Sequence, residues 1–226
     1  MRVIFNEELK AVADDLDHMV QSVRTAIITA GDALMNSDIE AAQQVIDGDI
    51  EIDALESSII DQCVRLLAKQ NPVATDLRVV VSSMRLASTF ERMGDLARHI
   101  AEAARRTYPV SPLPADIQPL FAQMRDFLNL TADRTVNMMV DRDAKIAEQI
   151  ILDDDTLDQL HQQTFAGVLD DSWNGTKQEL IDVVLIGRFM ERLGDHAVSA
   201  ARRVVFIVSG FDPTKEPERD EGTDID

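Results

Sequence analysis

The chain has 226 residues, 45% of them apolar, enough for a sizeable packed core in one large or two small domains. Aromatic residues make up only 4%, while Ala, Leu, Ile and the acids abound, a composition that favours helices. With 41 acidic against 22 basic residues the formal charge is −19, which excludes nonspecific binding to nucleic-acid phosphates and anionic lipids, and suits either solubility or cation binding.

The amino terminus lacks an apolar run of signal-peptide kind, and the runs VVLIG and VVFIVSG are too short to cross a bilayer. Cytoplasmic residence is the expectation. From Phe5, apolar residues recur at Leu9, Val12, Leu16, Met19, Val23, Ile27, Ala30 and Leu34, the three-and-four spacing of a long amphipathic helix. Ser37 and Asp38 offer a cap for a second helix, which ends near QNPVAT because Pro72 disfavours helix at Asn71. The lone cysteine, Cys63, sits on its apolar side as a small buried hydrophobe. A third helix is expected from Thr75 or Asp76 to about Arg106. Three helices of about 30 residues, about 45 Å each, suit an antiparallel bundle.

Four prolines in TYPVSPLPADIQP then mark a linker. Beyond it the pattern repeats, with helices expected from Leu120 to Met139, Ala144 to Val168 and Leu180 to Ser209. Trp173 precedes the last of these as a packing plug. The fold class is therefore all-α: two tandem, pseudo-repeated three-helix bundles over residues 1–108 and 120–210, joined by a linker at 109–119. Residues 211–226, with seven acids and two bases, read as an acidic disordered tail.

The repeat is sharpest in one pentapeptide: ERMGD, Glu91 to Asp95, returns as ERLGD, Glu191 to Asp195. Residues four apart share a helix face, so Glu91 with Asp95, and Glu191 with Asp195, each present two carboxylates side by side. The preceding helices carry acids at the same spacing, Asp49 with Asp53 and Asp154 with Asp158. If these pairs face one another, four carboxylates per half surround a space suited to hard, oxygen-seeking ions such as iron, manganese or magnesium, with zinc less favoured by oxygens alone. Gly94 and Gly194, inside helices where glycine costs stability, point to close approach of a neighbour. Arg92 and Arg192 project about 100° from the glutamates beside them and are expected to neutralise them poorly. His99 could reach the first acid pair, but its counterpart in the second half is Ser199; His196 faces elsewhere.

The doubled ER.GD with NPVATDLR (Asn71 to Arg78) before its first copy, and VVFIVSG at the end, resembles the PhoU family of phosphate-signalling proteins over roughly Phe5 to Gly210. The resemblance implies tandem three-helix bundles. It assigns Glu91, Asp95, Glu191, Asp195, Asp49, Asp53, Asp154 and Asp158 to metal binding, iron foremost and often as multinuclear clusters. It also implies a non-enzymatic cytoplasmic regulator, frequently a homodimer, acting at the inner face of the membrane through two partners. Those are the ATPase subunit of a phosphate ABC transporter and a phosphate-sensing histidine kinase, with phosphate-starvation genes repressed when phosphate suffices. Leu96, against His196 in the second copy, departs from an otherwise matched pair. A di-iron carboxylate oxidase is the enzymatic alternative, but its Glu-x-x-His pairs are absent, and the nearest substitutes, Asp15 with His18 and Asp158 with His161, are not duplicated. A metal-free helical adaptor is the other alternative.

Overall fold

The computed structural model describes residues 2–210, and the expected acidic tail lies outside the described residues. Six helices follow in chain order: α1 (Arg2–Asn36), α2 (Ile39–Gln70), α3 (Ala74–Thr107), α4 (Gln118–Asp141), α5 (Ala144–Leu169) and α6 (Lys177–Ser209). The all-α class and the six helices agree with the apolar periodicity.

The helix ends have local causes. The Asp38 carboxylate accepts hydrogen bonds from the backbone N–H groups of Glu40 and Ala41, both at 3.0 Å, and starts α2. Asn71 closes α2 in the left-handed region, at φ 46°, one residue before Pro72. The last helix begins three residues earlier than its apolar stripe. Thr176 Oγ1 accepts from the Glu179 N–H at 3.2 Å while Glu179 Oε2 accepts from the Thr176 N–H at 2.7 Å, a reciprocal cap that fixes the start at Lys177.

In the first bundle α1, α2 and α3 pack on one another; in the second α4 packs on α5 and α6, and α5 on α6. The bundles are joined side by side, α1 against α4 and α3 against α6, so that one cluster of buried residues runs through both. Phe90, Phe121, Met19, Leu34, Ile59 and Leu157 are among its fully buried side chains. Cys63 is buried and Trp173 packs against the cluster, as the sequence suggested. The proline-rich linker is itself anchored. Leu113 and Ile117 are buried, and Gln118 Nε2 donates to the Leu113 carbonyl at 2.9 Å.

Three contacts set the direction of the α3–α6 crossing. Arg78 donates to the Ile207 carbonyl at 3.3 Å, the His99 ring lies 5.2 Å from that of Phe189, and Arg106 Nη2 meets the buried Asp182 carboxylate at 2.6 Å. As numbering rises along α3 it falls along α6. The helices are antiparallel, and their two ER.GD segments lie at the same level of the crossing.

Candidate carboxylate centres

Each acid cluster is built where a glycine lets two helices approach. A Cβ on Gly94 would stand 3.0 Å from Ile52 Cδ1, 3.1 Å from Ile52 Cγ2 and 3.5 Å from Asp49 Oδ1. A Cβ on Gly194 would stand 2.6 Å from Leu157 Cδ2 and, again, 3.5 Å from the Oδ1 of Asp154. The expected close approach is therefore real in both halves, and it seats the first aspartate of the α2 or α5 pair beside the glycine of the ER.GD segment.

Electrostatics shows which acids share a site. The Glu91 carboxyl is pushed up by burial, held back by Arg92, and pushed up further by the charges of Asp95, Glu56 and Asp53. Asp49 is likewise raised by burial, against the pull of Arg98 and with Asp53 and Asp95 adding to the rise. In the second half burial raises Asp154, and Asp158 and Asp195 raise it again. Glu191 is raised by burial and by Asp195, opposed by Arg188, with Asp158 adding. All eight acids singled out in the sequence thus fall into two clusters, one between α2 and α3 and one between α5 and α6. Glu56 joins the first.

The clusters differ in what neutralises them. In the first, Arg98 donates through Nε to Asp49 Oδ2 at 2.6 Å, through Nη2 to Asp95 Oδ1 at 2.8 Å and through Nη1 to Glu102 Oε1 at 2.8 Å. One guanidinium thereby ties α2 to α3 across the acids. Arg92 corrects the expectation drawn from helix angles: its Nη1 reaches Asp95 Oδ2 at 3.0 Å and its Nε lies 3.4 Å from Glu91 Oε2. The long side chain folds back along the helix, which Cα angles alone do not describe. In the second cluster, the register of Arg98 is filled by the buried Val198. Arg188 binds Glu191 from the preceding turn. Arg202 acts on Asp154 only through space, and among the described residues no ion pair reaches Asp154, Asp158 or Asp195.

His99 is not brought to the first cluster; it packs on Phe189 at the α3–α6 crossing. His196 is near Arg92 and Arg192, whose charges, after burial, hold its imidazolium form down. The sequence reading missed Arg98, Arg188 and Glu56. The signal for the two arginines was present, since Arg98 follows Asp95 by three residues and Arg188 precedes Glu191 by three, the spacing of helical ion pairs.

As the side chains stand, no three His, Cys, Asp or Glu residues among those described converge tightly enough to hold an ion. The donor chemistry of the second cluster nevertheless fits a cation: oxygen-rich, partly desolvated and without a guanidinium between its helices. The first cluster, with Arg98 seated on Asp49 and Asp95, fits one less well.

The chain matches the PhoU domain twice, over residues 16–104 and 121–204, each match holding one carboxylate cluster. It belongs to the PhoU family. The PhoU homolog 1 of Mycobacterium tuberculosis, a phosphate-specific transport system accessory protein, is 36% identical over 216 residues, covering 96% of this chain and 98% of that one. A PhoU homolog of the same description from Methanothermobacter thermautotrophicus is 30% identical over 214 residues, 92% and 95% of the two chains. The crystal structure of PhoU from Pseudomonas aeruginosa superposes with a TM-score of 0.84 at 26% identity, covering 92% of this chain and all of that one. PhoU from Streptococcus pneumoniae, described as a phosphate transport system regulatory protein, gives 0.80 at the same identity. PhoU relatives thus share both the helical architecture and nearly the full length.

Proposed function

We propose that this PhoU-family chain is a non-enzymatic accessory protein of a phosphate-specific transport system. In this reading it restrains uptake and starvation signalling when phosphate suffices, by contacting the ATPase subunit of the phosphate transporter and a phosphate-sensing histidine kinase. The support is the doubled PhoU match along nearly the whole chain, in a protein whose relatives carry accessory and regulatory names. No described helix is long and apolar enough to cross a membrane, so contact with the transporter at the membrane would be peripheral.

The carboxylate clusters would hold cations. Glu91, Asp95, Asp49 and Asp53 would supply oxygens in the first half, and Glu191, Asp195, Asp154 and Asp158 in the second. A bound ion, iron foremost, would supply positive charge where repulsion among ionised acids otherwise opposes packing, and so would couple occupancy to the spacing of α2 from α3 and of α5 from α6. The role is one of binding, and Cys63, buried with its thiol pushed up to about 11 by desolvation, is poorly suited to act as a nucleophile.

The partner reading is tested by recovering the tagged protein from its source cells grown in ample phosphate. Co-purification of the transporter ATPase subunit and the histidine kinase is expected. Recovery of the protein with neither, under conditions that retain a known ATPase–permease contact, would contradict it.

A further inference from the structure

The repeat places unlike residues at the two ends of the α3–α6 crossing. Towards the Gly210 end, α3 presents Arg85, Ser88 and Thr89, and α6 presents Ser199 and Arg203, to an open cavity of about 370 Å³ that Ile60 of α2 also lines. At the other end the same registers hold Leu185, Arg188, Phe189, His99 and Ala103. The convergence of two guanidinium groups with three hydroxyls is therefore confined to one end, and the duplicated helices do not by themselves require it.

The arginines leave positive charge to be met. In a chain with 41 acids, the Arg85 side chain has no hydrogen-bond or ion-pair partner among the described residues. Arg203 is placed by an aromatic ring, its guanidinium 5.6 Å from the centroid of Phe206. Phe206 also carries Arg78, at 5.8 Å, so a third positive charge stands in the same seam between α3 and α6. The Arg78 Nε is buried and lacks a hydrogen-bond partner. Gathering like charges in one place costs energy that an anion in the cavity would offset.

The hydroxyls say which kind of anion. Ser88 Oγ donates to Glu56 Oε1 at 2.8 Å, and Thr89 Oγ1 donates to the Arg85 carbonyl at 2.8 Å. A hydroxyl has a single proton, so both oxygens meet a ligand with lone pairs alone. Guanidinium donors beside hydroxyl acceptors suit an oxyanion that keeps a proton of its own: its bare oxygens accept from the arginines and its O–H donates to Ser88 or Thr89. At neutral pH phosphate remains protonated, whereas sulfate does not. Sulfate would also meet the Glu56 carboxylate behind Ser88 with no proton to turn towards it.

We propose that this cavity binds inorganic phosphate, with Arg85 and Arg203 donating to its oxygens and the Ser88 and Thr89 hydroxyls accepting its proton. The site uses none of the eight cluster acids. It goes beyond the proposed function, which needs no phosphate on the chain itself, and would let the protein register the ion directly.

The test titrates inorganic phosphate, and separately sulfate, into the chelator-treated full-length protein at pH 7 and low ionic strength, read by calorimetry, with circular dichroism confirming that each variant is folded. One phosphate per chain is expected, its affinity falling as salt is raised, with sulfate about tenfold weaker or more. Arg85→Leu and Arg203→Ala each introduce the residue that the repeat places at the opposite end, and each should weaken phosphate about tenfold or more. Glu56→Ala, Ser88→Ala and Thr89→Val combined remove the acceptors and the carboxylate behind them, and should bring phosphate and sulfate to similar affinities. Phosphate binding indifferent to both arginine variants would overturn the site. Equal affinity of the wild type for the two anions would overturn the acceptor role of the hydroxyls. No phosphate uptake by the wild type would overturn the proposal outright, and because no partner is present in the titration it would leave the co-purification expected above unaffected.

Discussion

At the scale of single residues, the acids of the clusters are defined less by their own identity than by what neutralises them. Glu91 and Glu191 occupy the same place in the same pentapeptide, yet one is met by Arg92 from the next position and the other by Arg188 from the preceding turn. Both carboxyls still lie above the ordinary 4.5 because burial and neighbouring acids outweigh the arginine. For Glu191 the sign of the linkage follows. A carboxyl raised by folding makes its ionised form a cost to the native state above the folded pKa, and the cost fades as pH falls through that value towards 4.5. In chelator-treated protein Glu191→Gln should therefore melt higher than the wild type at pH 7, by on the order of 2 °C, with the gap closing as pH is lowered. Thermal melts across that range check it; a gap independent of pH would contradict the account of Glu191.

Among the elements, the glycines decide how closely the acid-bearing helices meet. Gly94→Ala gains about 0.5–1 kcal/mol of helix preference but must displace Ile52, whose branched Cγ2 would lie 3.1 Å from the new methyl and cannot swing away without changing χ1. Overpacking of about 1–3 kcal/mol should prevail, for a net loss of about 1 kcal/mol. Gly48, in the same pair of helices, has no neighbouring atom within 4 Å of its absent Cβ, so Gly48→Ala should instead stabilise by about 0.5–1 kcal/mol. Opposite signs in urea unfolding midpoints are expected, and a stabilised Gly94→Ala would mean that α2 is free to yield. The long stripes of α1 and α2 were legible because every third or fourth residue is apolar over many turns. The start of α6 was not read from its stripe, although Thr176 and Glu179 carry a capping signature, because Leu180 is where apolar spacing begins. Which arginine serves which acid was hidden for a different reason: side-chain reach along a helix, as with Arg92, and bridging between helices, as with Arg98, depend on packing that spacing does not encode.

The whole molecule is two copies of one bundle laid together with α3 and α6 antiparallel, so that the ER.GD segments meet at one level and the acid clusters flank the crossing. The doubled pentapeptide made the repeat legible. The side-by-side docking was not, because its contacts pair unlike residues: Arg106 with a buried Asp182, and His99 with Phe189. In each of the two clusters a helix of the central crossing is joined to an outer helix, so that a change in charge at either acid group bears on how the outer helices sit. The proposed function has this PhoU-family chain restrain phosphate-starvation signalling through those acids. The direct measurement is a starvation-gene reporter in a deletion strain of the source organism grown in ample phosphate, complemented with the wild type or with Glu91→Gln, Asp95→Asn, Glu191→Gln and Asp195→Asn combined. The account predicts a reporter switched on by the deletion, silenced by the wild type, and left on by the folded, normally abundant variant. Silencing by that variant, or a reporter that stays off in the deletion strain with no second copy of the gene present, would contradict it.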